Sequence, residues 1–273
     1  MWAFRRSRRQ RRRRPRGRRR LLGPALLLIG CLSGAAATGA LLLWVRGVHG
    51  PPAPPRHAQP PAPRSAPLYR AAQPRILPRS DWLNATVRRT QPPPRYDDAV
   101  VAVFVHHTDS PNTYRCADTP EVIRRVYAGQ TTARKWDDIG YNFLVDRCGT
   151  IYEGRAGGVE RAVIGAHSQG FNHRTAGIAA IGTFTRGTVV PRAMTDAIAA
   201  LIAWKLGLSG VDPRSAARLV SSSALSRYPV GAAATLPAVS GHDAGYRTSC
   251  PGAALTARLP EIRKAAARLQ GRR

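Results

Sequence analysis

Residues 100–105 form an unbroken apolar run, VVAVFV, which is followed directly by a histidine, His106. A run of this kind, rich in β-branched side chains and lacking polar alternation, is typical of a strand buried on both faces of a sheet. Sheets covered on both faces occur mainly in α/β domains, where helices lie on the two sides. The run therefore predicts an α/β domain and places His106 at the end of a buried strand.

A second segment, SGHDAGYRTSCPG at residues 240–252, contains a histidine and a cysteine eight residues apart in a glycine-rich loop. Together with His106, the side chains of His242 and Cys250 offer three ligands of the kind that zinc takes in proteins. Structural zinc sites usually have four protein ligands, whereas catalytic sites have three and keep one position open. The three residues therefore indicate a zinc hydrolase, with Zn²⁺ as the expected cofactor.

The N-terminus is strongly basic and is followed by an apolar segment. Residues 1–20 contain 12 arginines and no acidic residue, in a chain with a formal net charge of +28. Residues 21–45 carry no charge, and as a helix they would be roughly 37 Å long, enough to cross a hydrocarbon core of about 30 Å. Because basic flanks stay in the cytoplasm, we expect a membrane anchor with the rest of the chain outside the cell.

Two alternatives concern this N-terminal region. The apolar segment is also compatible with a cleaved signal peptide, which would give a secreted protein, although it is longer than the usual 7–15 apolar residues or so. Arginine-rich tails can bind nucleic acid, but a tail fused to a membrane span has little reach, so we expect no nucleic-acid partner.

The rest of the chain divides into a spacer and one domain. Residues 46–75 are rich in proline and cannot bury enough apolar surface to offset ordering, so they are predicted to be an extended linker. Residues 76–273 have the size of a single domain. Within them, residues 118–121 (DTPE) predict a helix start, with Asp118 or Thr119 as the N-cap. Residues 146–149 predict a hairpin turn, residues 178–184 a strand, and residues 194–206 and 259–269 two helices.

Three cysteines, Cys116, Cys148 and Cys250, follow the apolar segment. In an oxidising compartment an odd number of cysteines leaves one thiol without a partner. We interpret Cys116 and Cys148 as a disulfide and Cys250 as a thiolate held by the metal. The alternative for Cys250 is a small buried apolar residue, which is a common state of free cysteine.

Seven segments resemble, in order, the peptidoglycan recognition protein and type 2 amidase family, whose catalytic members are zinc N-acetylmuramoyl-L-alanine amidases. They are ILPRSDW at 76–82, FVHHT at 104–108, WDDIGYNF at 136–143, GTIYEGR at 149–155, GAHSQGFN at 165–172, GIAAIG at 177–182, and GHD to TSCPG at 241–252. The resemblance implies an α/β domain with a central mixed β-sheet flanked by helices. It does not extend to residues 1–75.

The resemblance also implies roles for single residues. His106, His242 and Cys250 match the family's zinc ligands, Tyr141 its catalytic tyrosine, and Thr248 a second catalytic position. His167 lies where the family lines its substrate groove, and it is expected either to contact the substrate or to lie directly behind the metal ligands. Asn142 and Arg174 are further candidate groove residues. His107 points to the opposite face of the strand from His106 and is expected to be structural. Glu153 and Asp243 are candidates to assist proton transfer.

These matches imply a function and leave one alternative. The expected activity is zinc-dependent hydrolysis of the amide bond between N-acetylmuramic acid and L-alanine in peptidoglycan. Family members that bind peptidoglycan without cutting it often lack the ligand cysteine, so Cys250 favours an enzyme. The alternative is a non-catalytic peptidoglycan-binding module tethered to the membrane. Residues 156–159 (AGGV) differ from the animal members at a position that selects the stem peptide, so a diaminopimelate or lysine preference does not transfer.

Overall fold

The computed structural model describes residues 69–86 and 88–273. The predicted cytoplasmic tail, the predicted membrane span and most of the predicted linker lie outside the described residues. None of the helices in the described part of the chain is both long enough and apolar enough to cross a membrane.

A six-stranded mixed sheet forms the centre of the domain, in the order β1-β4-β3-β5-β2-β8. Its strands are β1 (Ile76–Leu77), β2 (Ala102–His107), β3 (Phe143–Val145), β4 (Ile151–Glu153), β5 (Thr175–Ala180) and β8 (Val239–Gly241). β2 runs parallel to both of its neighbours, β5 and β8, while β3 and β4 are antiparallel. All six residues of β2 are buried, which confirms the strand predicted from the apolar run.

Helices cover both faces of this sheet, as the sequence predicts. They are α1 (Thr119–Ala128), α2 (Arg192–Gly207), α3 (Ala253–Thr256) and α4 (Leu259–Leu269). On one face, α2 and α4 pack on alternate residues of β2 and β5, including Val103, Val105 and Ile178. On the other face, α1 packs with Trp82 against residues such as Leu144 and Ala179. The expected helices at 194–206 and 259–269 are confirmed.

A β-hairpin of β6 (Ala216–Val220) and β7 (Ala233–Pro237) lies outside the central sheet and was not predicted. Buried and exposed residues alternate along both of its strands. The buried side chains, among them Leu219 and Leu236, pack against Phe104 of β2 and against Phe171. The hairpin therefore covers the part of the sheet that α1 leaves open.

Two local predictions differ in detail from the structure. The strand predicted at 178–184 is β5 at Thr175–Ala180, because Gly182 adopts φ 136°, a conformation that ends the extended run. The predicted helix start at 118–121 is confirmed, with Asp118 at the N-cap position and a proline in the first turn, but no side chain makes a capping hydrogen bond. Asp118 accepts hydrogen bonds from Arg115 at 2.8 and 2.9 Å, and the hydroxyl of Thr119 donates to Asp146 at 3.1 Å.

The predicted disulfide is present and fastens the start of α1 to the β3–β4 turn. Cys116 and Cys148 are bonded, with their Cα atoms 6.3 Å apart. In the predicted turn, a carboxylate oxygen of Asp146 accepts hydrogen bonds from the backbone N–H groups of Cys148 and Thr150, both at 2.9 Å. The bridge and the turn together fix the position of α1 relative to the sheet.

The segment that precedes β1 also contacts the domain. Arg272 lies over the ring of Tyr69 at 4.3 Å, and Ala71 packs against the core beneath α2. These residues belong to the predicted linker, so at least this end of the linker contacts the domain.

Asp138 forms a buried ion pair with Arg79. The two guanidinium nitrogens of Arg79 each lie 3.1 Å from a carboxylate oxygen of Asp138, whose side chain is only 3% exposed. The same carboxylate accepts the backbone N–H groups of Ile139 and Ala156, both at 2.8 Å. Asp138 therefore holds the segment that leads to Tyr141 against the N-terminal part of the domain.

Replacing Asp138 with alanine is expected to lower the free energy of unfolding by about 3–5 kcal/mol, because it leaves Arg79 without its counter-ion and two backbone donors without their acceptor. Denaturant unfolding at neutral pH measures the change. The matched control is Asp137→Ala at the exposed neighbouring position, which should change stability by less than about 0.5 kcal/mol. Equal effects of the two substitutions would contradict this role of Asp138.

Candidate metal centre

Strand register brings the two predicted histidine ligands together. Val105 of β2 pairs with Gly241 of β8 in a parallel register, so the next residues, His106 in β2 and His242 just beyond β8, lie side by side. Their ring centroids are 4.5 Å apart. The loop after His242 then returns, and the backbone N–H of Asp243 donates to the carbonyl of Cys250 at 3.0 Å. The ligand atoms of His106, His242 and Cys250 all lie within 4.8 Å of one another, and we call these residues the three-ligand cluster.

The geometry of the three-ligand cluster fits a tetrahedral zinc ion. Zinc bonds of about 2.3 Å to sulfur and about 2.0–2.1 Å to nitrogen would put the two ligand atoms about 3.6 Å apart. The Nδ1 atom of His106 is 3.8 Å from Sγ of Cys250. Nε2 of His242 is buried and finds no hydrogen-bond partner among the described residues, which a metal bond would explain.

Burial keeps the groups of the cluster in their neutral forms. Burial, followed by the nearby His242, lowers the pKa of His106 well below its ordinary value. Burial lowers the pKa of His242 to about 4 and raises the pKa of the Cys250 thiol to about 12. Neutral imidazoles are ready to bind a metal, whereas the thiol needs a cation beside it to lose its proton. This donor set is therefore suited to a divalent cation.

Cys250 is held in place by two hydrogen bonds. The backbone N–H of His107 donates to its Sγ atom at 3.3 Å, and its own N–H donates to the hydroxyl of Thr248 at 3.1 Å. The first bond is one that a thiolate strengthens, because the acceptor is then charged. His107 thus contributes its backbone to the site, in agreement with the structural role expected for it.

Tyr141 lies beside the cluster, as the resemblance implied. Its ring centroid is 5.3 Å from that of His106, and its hydroxyl is 3.5 Å from the carbonyl of His107, a long contact. Burial raises the pKa of the Tyr141 hydroxyl above its ordinary value, so it stays protonated at neutral pH and can donate a hydrogen bond. Asp243 is half-buried, and burial raises its pKa.

The structure places His167 behind His106 and not on an open groove. His167 is 6% exposed, and its Nδ1 atom lies 3.1 Å from Nε2 of His106, the ring nitrogen that faces away from Cys250. Its Nε2 atom contacts the hydroxyl of Thr175 at 3.3 Å. Of the two places expected for His167, the structure therefore shows the one behind a candidate metal ligand.

Two further predicted groove residues are engaged elsewhere. The side-chain amide of Asn142 donates to the carbonyl of Val163 at 2.9 Å and accepts the N–H of Gly177 at 2.8 Å, so its polar groups link the start of β3 to β5 and to the segment at Val163. Arg174 precedes β5 at the opposite end from the cluster. Its N–H and Nε–H donate to Asp97 and Asp98, at 2.6 and 3.1 Å. The structure therefore does not bring Arg174 to the cluster.

Sequence reasoning missed two residues that hold the His242 loop. The ring of Tyr246 stacks on His242, with centroids 5.3 Å apart and planes at 18°. Arg227, from the loop of the β6–β7 hairpin, donates through Nε to the carbonyl of Asp243 at 2.5 Å and through its backbone N–H to that of Gly245 at 2.9 Å. Arg227 lies outside every motif, so nothing in its local sequence indicates that it contacts the His242 loop. Tyr246 could have been found, because it belongs to the same GHDAGY segment as His242.

Comparisons with known proteins agree with the resemblance. The family model described as N-acetylmuramoyl-L-alanine amidase matches residues 96–253. The chain is 35% identical over 145 residues to peptidoglycan-recognition protein LB of Drosophila melanogaster, covering 51% of this chain and 57% of that protein. It is 36% identical over 117 residues to the N-acetylmuramoyl-L-alanine amidase of Mus musculus, covering 41% of this chain and 20% of that protein. The chain thus spans less than two thirds of these relatives' length.

Solved structures with a similar fold include peptidoglycan recognition proteins. The Drosophila peptidoglycan-recognition protein LB structure has a TM-score of 0.52 at 28% identity, covering 68% of this chain and 92% of that one. Peptidoglycan recognition protein LE was solved in complex with tracheal cytotoxin, described as monomeric diaminopimelic acid-type peptidoglycan. It has a TM-score of 0.50 at 26% identity, covering 68% of this chain and 92% of that one.

The three-ligand cluster is expected to bind one Zn²⁺ per chain, and Cys250→Ser should weaken binding by more than the roughly 10- to 100-fold typical of losing an outer-shell partner. The reason is that serine removes the anionic ligand. Metal analysis and competition with a chelator measure stoichiometry and affinity. Cobalt substitution should show a thiolate-to-metal charge-transfer band in the wild type.

The matched control for this substitution is Ser249→Ala at the exposed neighbouring position, which should leave zinc affinity and the cobalt spectrum unchanged. Wild-type affinity in the Cys250→Ser variant would contradict the assignment of Cys250 as a ligand.

Proposed function

The chain belongs to the N-acetylmuramoyl-L-alanine amidase family, and on that premise we propose that it hydrolyses the amide bond between N-acetylmuramic acid and the L-alanine of the peptidoglycan stem peptide. The observation that carries the proposal is the meeting of His106, His242 and Cys250 beside Tyr141. Three ligands leave one position open for a reactant, and this is the arrangement of catalytic zinc sites.

His106, His242 and Cys250 would hold the zinc ion. When bound, zinc supplies Lewis acidity, which polarises a carbonyl and lowers the pKa of water. The chain's own contribution is to fix the ligands. His106 and His242 are positioned by two parallel strands, and Cys250 is positioned by the N–H of His107 and by Thr248.

Tyr141 would stabilise the negative charge that develops on the carbonyl oxygen as the amide is attacked. Its hydroxyl stays protonated because burial raises its pKa, and its present partner, the carbonyl of His107, is at a long 3.5 Å. A donor held in a water-poor site without a strong partner loses little when it turns to a developing oxyanion. Thr248 already accepts the N–H of Cys250, so its hydroxyl proton remains available for the same purpose.

The alternative function is recognition of peptidoglycan without cleavage. The relatives include proteins named for recognition as well as one named as an amidase, and all share the fold. Cys250 favours catalysis, because it completes a ligand set that binding alone does not need. Peptidoglycan is the proposed partner under either reading.

We also propose that residues 21–45 anchor the chain in a membrane and that the domain acts outside the cell. The uncharged length of this segment and the arginines before it support this topology. The proline-rich linker would hold the domain away from the membrane surface.

The full-length chain should release stem peptides with a free L-alanine amino terminus from purified peptidoglycan, and a chelator should abolish the release. Tyr141→Phe should lower kcat by about 100- to 1,000-fold, as expected for removing an oxyanion donor. Mass spectrometry of the soluble products measures both effects.

The matched control is Tyr96→Phe, which removes a hydroxyl that donates to the carbonyl of Gly157 at 3.1 Å and has no contact with the cluster. It should keep wild-type activity. Retained binding to peptidoglycan without any released peptide would replace the amidase by the recognition function.

The anchor proposal predicts that the full-length chain remains in the membrane fraction after a carbonate wash and dissolves only in detergent. Replacing residues 1–45 with a cleavable export signal should give a soluble protein, because the anchor is gone. Fractionation and intact-mass analysis measure this. A mature chain that begins after residue 45 in the full-length expression would show that the segment is a signal peptide and that the protein is secreted.

A further inference from the structure

The side of His106 that faces away from the cluster is occupied by a second buried histidine. Nδ1 of His106 faces Cys250, while Nε2 lies 3.1 Å from Nδ1 of His167. Both rings are buried, with His106 1% and His167 6% exposed. A contact between two ring nitrogens at this distance is a hydrogen bond that holds one proton, so one ring donates and the other accepts.

The far side of His167 decides which ring donates. Its Nε2 lies 3.3 Å from the hydroxyl oxygen of Thr175, and this hydroxyl donates to the carbonyl of Phe171 at 2.6 Å. A carbonyl can only accept, so the single proton of Thr175 is committed to Phe171. The oxygen of Thr175 must therefore accept from His167, which places a proton on Nε2 of His167.

Neutral His167 then has no proton on Nδ1, and Nδ1 must accept. The opposite direction would require a doubly protonated His167, which would be a buried cation with no acid among its contacts. The donor to Nδ1 is consequently Nε2–H of His106. Because neutral His106 carries one proton, its Nδ1 atom is left with a free lone pair directed at the cluster.

We propose that His167 and Thr175 are positioning residues that fix the tautomer of His106, so that Nδ1 is presented to the metal. The inference rests on the zinc site of the proposed function and deepens it. Metal-binding histidines usually donate their second N–H to a carboxylate, a carbonyl or a water. Here a neutral imidazole and a hydroxyl take that place. The hydrogen bonds run from His106 to His167, from His167 to Thr175 and from Thr175 to the carbonyl of Phe171, and we call this series the His–His–Thr relay.

The neutrality of the relay has a consequence for the metal. With one thiolate and two neutral imidazoles, a Zn²⁺ site keeps one net positive charge. A carboxylate behind His106 would add a second negative charge close to the ion. The uncharged relay orients the ligand without that addition, and so preserves the capacity of the ion to polarise a carbonyl.

The packing around His167 allows little else at its position. A Cβ atom added at Gly177 or at Gly165 would collide with the His167 ring. The side chain of Asn172 accepts the backbone N–H groups of His167 and Ser168 at 2.9 and 2.8 Å. The GAHSQGFN segment and Gly177 of β5 thus enclose the ring of His167 and keep it buried.

The first test uses the full-length, zinc-loaded protein labelled with ¹⁵N at histidine. The expected spectrum shows zinc bound through Nδ1 of His106, a protected Nε2 proton on His106, and a coupling through the hydrogen bond between that nitrogen and Nδ1 of His167. Zinc bound through Nε2 of His106, or the absence of the coupling, would overturn the proposal.

The second test compares two threonine variants in zinc affinity and in the histidine spectrum. Thr175→Val removes the terminal acceptor of the relay, so the protected Nε2 proton of His167 should be lost and zinc affinity should fall by roughly 10-fold. The matched control is Thr131→Val. Thr131 is also buried and also donates to the carbonyl four residues earlier, that of Tyr127 at 2.8 Å, but it contacts no histidine. Equal effects of the two variants would overturn the proposal.

Two substitutions of His167 separate positioning from packing. His167→Leu should weaken zinc binding by roughly 10- to 100-fold, because His106 loses its acceptor. His167→Gln offers an amide oxygen to the same proton and should recover part of that loss. Equal affinities of the two variants would count against the relay. These readouts do not depend on turnover, so a chain that proves unable to cut peptidoglycan can still confirm the relay.

Discussion

The parallel pairing of β2 with β8 is the constraint on which the rest of the structure depends. Neither histidine of the cluster has a local partner in sequence, and only the register of Val105 with Gly241 makes His106 and His242 neighbours. β2 can sit between two parallel strands because all of its residues tolerate burial on both faces. The helices, the hairpin and the disulfide then serve to cover this sheet and to hold the loops at its end.

Much of the fold was predictable, because it follows from local patterns. The apolar run predicted β2, and helical periodicity predicted α2 and α4. The β6–β7 hairpin was not predicted for two reasons. The alternation of buried and exposed residues along its strands is carried largely by alanine, and a long loop, residues 221–232, separates the two strands. β5 starts three residues before the predicted strand, because Gly177 within it looks like a strand breaker although the ring of His167 leaves no room for a side chain there.

The candidate metal ligands could be predicted, because the motifs themselves contain them. His106, His242 and Cys250 are found together as the sequence indicates. The roles of polar residues in the same motifs were harder to assign, because a motif does not say whether a side chain faces a ligand or the interior. Asn142 turns inward to bridge two strands, and the link between His167 and Thr175 exists only in the folded chain.

The burial of Cys250 has a consequence for where the domain can work. Within the described domain, Cys116 and Cys148 are joined by a bond that requires oxidation, whereas Cys250 is a free thiol that the proposed metal site needs in its reduced form. Oxidants reach thiolates in proportion to their exposure, and Cys250 is only 7% exposed beneath the end of β2. Burial thus allows an oxidising environment to form the Cys116–Cys148 bridge while the thiol of Cys250 stays reduced.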